Sequence, residues 1–148
     1  MTASGPGRAP VLPAAAVSGS LAAVGYTVIR PEDRAYEAPL RGDLRRRKAQ
    51  LSAALHTMRA NIWRVPPGVR GTRHIEHVQE ELFVVLEGTA TLLLGDPPEH
   101  VHVPQGSIAV VEIGTALQLR NEGDEETVVL AVGAPPEEGG AEILPDVD

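Results

Sequence analysis

From residue 57 onward, apolar residues come in short runs broken by glycine, proline and acidic punctuation. The runs fall at residues 58–65, 82–86, 89–94, 101–103, 108–111, 117–119 and 127–132. Between them stand Pro66-Pro67-Gly68, Glu87-Gly88, Gly95-Asp96-Pro97-Pro98, Pro104-Gln105-Gly106, Gly114 and Asn121-Glu122-Gly123. Runs this short, several β-branched or alternating apolar with polar, predict strands joined by turns. The whole stretch therefore reads as an all-β sandwich or a single antiparallel β-barrel.

Upstream the texture differs. Residues 26–30 have strand composition and are followed by the breaker Pro31-Glu32-Asp33. Residues 44–55 contain good helix formers behind Asp43, an N-cap type, which predicts a short helix. Residues 1–24, rich in Ala, Gly, Pro and Ser, read as a flexible leader. The chain thus divides into that leader, a strand and helix packing on the barrel (25–56), the barrel (57–135) and an irregular tail (136–148). The tail carries one further strand candidate at 141–144. Residues 82–86 are apolar on both faces of a strand, so the outward face needs a cover. The N-terminal segment or a second subunit would supply it, and a homodimer is expected.

Composition narrows the function classes. The 148 residues suit one domain, and with no cysteine there are no disulfides, thiolate metal sites or thiol nucleophiles. The formal net charge of −7 opposes a dedicated nucleic-acid or anionic-membrane binder. The basic run Arg45-Arg46-Arg47-Lys48 is a local exception, read as a solvated helix face. No stretch approaches the roughly 20 apolar residues that span a bilayer. The N-terminus lacks the charged start and unbroken apolar run of a signal peptide, so a cytoplasmic protein is expected. There is no G-x-G-x-x-G or G-x-x-x-x-G-K phosphate loop and no Gly-x-Ser-x-Gly elbow.

Candidate chemistry converges on one segment, Gly68 to Gly88, where His74, Glu76, His77, Glu80 and Glu81 lie within eight residues. Imidazole and carboxylate together suit Fe, Mn, Ni, Co or Zn. The segment resembles the first motif of the cupin family: Gly, five residues, His-x-His, three or four residues, Glu, six residues, Gly. The gaps Gly68 to His74 and Glu81 to Gly88 match it. Gly106, Gly114 and Asn121 fall at the spacings of the family's second motif. The resemblance covers about residues 61–132 and implies a jelly-roll barrel with a site in its mouth. It also implies a metal shell of three histidines and one glutamate, and here this chain departs. His74-Ile75-Glu76-His77 replaces His-x-His, Glu112 stands at the proline position, and Leu117 stands where the fourth ligand, a histidine, would be.

Strand alternation puts 74 and 76 on one face and 77 on the other. An undistorted strand would offer His74, Glu76 and Glu81, a set leaning toward Mn or another hard cation. A bulge would substitute His77 for Glu76 and give the two-His, one-carboxylate set that suits Fe(II). Both remain open on sequence grounds, as does a polar cluster that holds no metal. Trp63, Phe83, Val85, Leu117, Leu119 and Asn121 are the candidate ligand-pocket residues, and Glu80 is an exposed neighbour. His100 and His102 share a face, but Val101 and Val103 are the better core residues, which turns the histidines outward. His56 stands alone. The expected function is small-molecule binding in the barrel beside a degenerate site for one divalent metal ion, filled or vacant. The alternative is a metal-dependent oxygenase, isomerase or lyase acting on a small polar organic molecule. A regulatory or storage role rests only on the versatility of the fold.

Overall fold

The computed structural model describes residues 25–136 and 140–148. Leader residues 1–24 lie outside the described part. Eleven strands run β1 (Tyr36–Glu37), β2 (Arg47–Gln50), β3 (Arg59–Val65), β4 (His74–Glu76), β5 (Glu80–Glu87), β6 (Thr89–Leu94), β7 (Glu99–Pro104), β8 (Ile108–Val111), β9 (Ala116–Arg120), β10 (Thr127–Ala134) and β11 (Ala141–Ile143). They form two antiparallel sheets, ordered β1-β2-β3-β10-β5-β8 and β11-β4-β9-β6-β7. The apolar runs of the sequence become β3 and β5 to β10, and the tail candidate becomes β11.

The sheets close on a core built from one residue in two along each strand. Val65 of β3, Phe83 and Val85 of β5, Ala90 and Leu92 of β6, Leu117 and Leu119 of β9 and Val129 of β10 belong to one buried cluster. Each fully buried Val, Leu or Phe contributes roughly 1.5–3 kcal/mol through apolar area removed from water. β10 is the pivot of the larger sheet, because Val129 faces Trp63 of β3 on one side and Val85 of β5 on the other.

Two expectations for the N-terminal segment are overturned. No α-helix spans 44–55: the segment forms β2 and a short 3-10 turn at Ser52–Ala54. Pairing with β3 outweighs helix propensity, since Ala49, opposite Ile62, is completely buried against Ile62 and Val128. Residues 26–30 form no strand either; they lead as irregular chain into a 3-10 turn at Pro31–Asp33. The outer face of the larger sheet is thus covered in part from within the chain, with Tyr36, Leu51, Leu86 and Leu130 packing on the Ala49 cluster. Toward the β8 edge, Ile108 and Val110 stay 63% and 59% exposed.

The outer face of the smaller sheet is polar, yet it is also covered. Gln118 donates to the Gly71 carbonyl and to Asp146, and Arg120 donates to Gln118, Asp146 and the Val147 carbonyl. Residues 144–148 therefore lie across β9 as a strap. Among the described residues no helix is long and apolar enough to cross a membrane.

The glycines that punctuate the sequence have physical roles. Gly68, Gly88, Gly106 and Gly114 all have positive φ. Gly88 is doubly constrained, because a Cβ there would sit 2.7 Å from the Glu126 carbonyl oxygen. Asn121 is buried and structural: its Nδ2 donates to the carbonyls of Val65 (2.9 Å) and Glu125 (2.6 Å), and its Oδ1 accepts from the Gly123 amide. It does not line the cavity. Asn121→Ala leaves buried carbonyls unpaired and should cost about 2–4 kcal/mol in urea unfolding. A loss near zero would show that water replaces those bonds.

Candidate metal and ligand site

The inward rows of the strands change character toward one end of the barrel. On β5 the row reads Glu81, Phe83, Val85, passing from the mouth to the core. On β4, His74 and Glu76 share a face, and His74 lies directly opposite Leu117 of β9. The strand ends of both sheets therefore bring His74, Glu76 and Glu81 together, with one donor atom from each within 4.8 Å of the others.

Hydrogen bonding fixes how each group presents itself. His74 Nδ1 donates to the Thr72 carbonyl at 2.9 Å, which leaves Nε2 facing Glu81 Oε2 at 3.6 Å. Glu81 Oε2 is buried and has no hydrogen-bond partner among the described residues. An orphaned carboxylate oxygen beside an oriented imidazole is what a cation would satisfy. Burial disfavours the His74 imidazolium, but Glu81, the Thr72 carbonyl and the charge of Glu76 outweigh it and hold its pKa above the ordinary histidine value. Burial, then the charge of Glu81, push Glu76 above the usual carboxylate range, against the opposing pull of His74, Arg59 and His77. Arg59 stands 3.9 Å from Glu76 and donates to Gln79 at 2.6 Å.

Of the two arrangements left open by the sequence, the structure turns Glu76 inward. His77 is exposed on the other face, with Nε2 2.8 Å from Glu142 of β11. β4 pairs with β11 in unbroken register through residues 74–76, with no bulge to re-aim it. Glu80 is exposed. His100 and His102 also point outward, toward Glu122 and Thr91, and His56 is exposed.

His74, Glu76 and Glu81 open onto a cavity of about 360 Å³. Trp63, Phe83, Leu117 and Leu119 line it, as the sequence suggested, whereas Val85 lies deeper in the core. Leu117 supplies wall and no donor. Sequence reasoning missed the cationic side of the cavity, Arg41, Arg46, Lys48 and Arg59. Assigning 44–55 to a helix hid the two-residue spacing that aims Arg46 and Lys48 the same way.

The cupin domain model matches residues 61–133. The chain belongs to the cupin superfamily. No curated protein matches it by sequence. Among solved structures it is similar to a Klebsiella pneumoniae double-stranded β-helix protein, at 21% identity and TM-score 0.62, covering 75% of this chain and 92% of that one. A predicted oxalate decarboxylase from Thermotoga maritima shares 20% identity at TM-score 0.64, over 73% and 98% of the two chains. The polyketide cyclase RemF from Streptomyces resistomycificus shares 18% at TM-score 0.68, over 82% and 87%. At these identities the likeness is one of fold. In the cupin spacing Glu81 stands at the first-motif glutamate position, and Glu76 stands where His-x-His has its second histidine.

Both His74 and Glu76 bind protons more tightly in the folded cupin than in the unfolded chain. Their contribution to stability is therefore fully present below their unfolded pKa values and is lost as pH rises through the folded ones. Metal-free protein should lose stability from the glutamate range up to beyond the histidine range. Glu76→Gln should raise the melting temperature at pH 8 and change it little at pH 5. Equal loss at both pH values would mean that Glu76 acts through its bond geometry and not its charge.

Proposed function

We propose that this cupin domain binds a small organic molecule in the barrel mouth, beside a divalent cation held by His74, Glu76 and Glu81. The observation that carries this reading is the buried Oε2 of Glu81, which makes no hydrogen bond and stands 3.6 Å from Nε2 of an imidazole fixed by Thr72. One nitrogen and two carboxylates favour Mn(II) or Fe(II) over softer ions. The Thr72 carbonyl orients the His74 ring and Arg59 adds a positive charge 3.9 Å from the Glu76 carboxylate, while Leu117 and Phe83 limit water at the inner side.

Catalysis is the second reading, and Leu117 favours it. His74, Glu76 and Glu81 would hold the ion, and Leu117 offers no fourth donor, so room beside it would be left for substrate or water. A bound ion would supply Lewis acidity, polarising a carbonyl or acidifying a water. The chain's own residues would bind the substrate and exclude solvent around it.

The test is metal loading. Protein stripped with chelator and offered Mn(II), Fe(II), Ni(II) or Zn(II) separately should retain close to one equivalent of Mn or Fe by mass spectrometry. His74→Ala combined with Glu81→Ala should lower retention at least tenfold. Retention no better than that of the double variant would sink the metal reading and the catalytic one with it.

A further inference from the structure

The cavity is electrically lopsided. Its acidic side is the His74, Glu76 and Glu81 cluster, and its lining also includes Arg46 just before β2, Lys48 on β2 and Trp63, which pairs with Lys48 from β3. Arg46 is only 5% exposed, and its guanidinium lies 4.6 Å from the centroid of the Trp63 ring, with Lys48 Nζ at 5.8 Å. Arg46 donates through Nε to the Asp43 carbonyl at 3.3 Å and through Nη2 to the Arg41 carbonyl at 3.1 Å. Both acceptors are neutral.

No carboxylate of the described residues lies within ion-pair distance of Arg41, Arg46 or Lys48. Asp43 is the acid in sequence reach, but its carboxylate is committed to Arg45 at 2.6 Å, which holds its pKa down at about 2. Burial accordingly disfavours the charge on Arg46. A buried guanidinium without a counter-anion carries a desolvation cost that an incoming anion would relieve. With Nε and one Nη2 proton taken by those carbonyls, the Nη1–Nη2 edge is left to meet a carboxylate, and the aromatic face behind the guanidinium holds it in orientation.

We propose that Arg46 and Lys48, stacked on Trp63, form the recognition site for the carboxylate of a small organic acid. This deepens the small-molecule reading above and rests on it. The acid has an apolar body, because Trp63, Phe83, Leu117 and Leu119 line the space between the cationic and acidic sides. The cavity of about 360 Å³ lies at the small end of the range for ligand pockets, so a single-ring acid is the right scale. Discrimination comes from charge: an uncharged amide of the same shape gains nothing from Arg46 and Lys48.

Trp63 is the one tryptophan of the chain, so its indole N–H gives a single NMR signal that reports on the clamp. The full chain is titrated with benzoate, benzamide and phenyl phosphate, with and without Mn(II)-free conditions enforced by chelator. Benzoate should shift the indole signal saturably, at least tenfold more tightly than benzamide, and added salt should weaken it. Phenyl phosphate binding more tightly than benzoate would overturn the carboxylate assignment in favour of a phosphate site. Arg46→Lys and Lys48→Gln each should weaken benzoate tenfold or more, while their folded spectra stay intact. Lys48, half-buried on β2 and without the loop-carbonyl bonds that Arg46 makes, keeps the test open if Arg46 variants unfold. Equal affinity for benzoate and benzamide, no saturable shift with benzoate, or full affinity in Lys48→Gln and Arg46→Lys would overturn the proposal. Benzoate binding that persists in His74→Ala, Glu81→Ala protein without metal would separate this site from the metal reading, which stands or falls on metal retention alone.

Discussion

Everything in this barrel depends on the two-residue alternation of its strands. A strand offers one row inward and one outward, and a sandwich of two sheets has room inside for only one row from each. Glu81, Phe83 and Val85 share one such row, so the carboxylate is delivered to the mouth by the residues that anchor the core. The same rule on β4 selects Glu76 over His77 as the neighbour of His74, and on β2 it turns Arg46 and Lys48 toward Trp63. Register errors are costly for this reason. A one-residue slip of β5 would send Glu81 outward and bring Leu82 into the mouth.

The outward rows are managed in two different ways. The larger sheet carries apolar residues outside, extends that face with β1 and β2, and packs Tyr36 and Leu51 on the Ala49 cluster. The smaller sheet carries Gln118 and Arg120 outside and satisfies them with the strap at 144–148. Polar cover costs more to arrange, because every buried donor needs an acceptor. In exchange it fixes the strap by directed bonds, where an apolar contact would allow it to slide.

Much of this was legible beforehand, and the limits are instructive. The four glycine spacings could be read because each of those positions sits at positive φ, which few other residues tolerate. The inward direction of Glu76 followed from alternation once no bulge intervened. The β2 segment was misread because Leu44, Arg45, Lys48 and Ala49 are good helix formers, and only the tertiary slot beside β3 makes them a strand. Asn121 was misplaced for a related reason. Its spacing marked it as important, but spacing does not distinguish a residue that holds loops together from one that meets a ligand. The cationic wall was invisible because it depends on two distant segments meeting at Trp63.

The His74–Glu81 pair spans the gap between the two sheets, one partner on β4 and the other on β5. Whatever occupies the space between them therefore ties together two layers that meet mainly through apolar contact, with the Arg59–Glu76 pair and the Asn121–Val65 bond as further polar links. Filling the mouth would work like a rivet. It would damp the breathing of one layer against the other and slow amide exchange in strands that never touch the ligand. Occupancy of this barrel would then be readable from its rigidity, far from the point of binding.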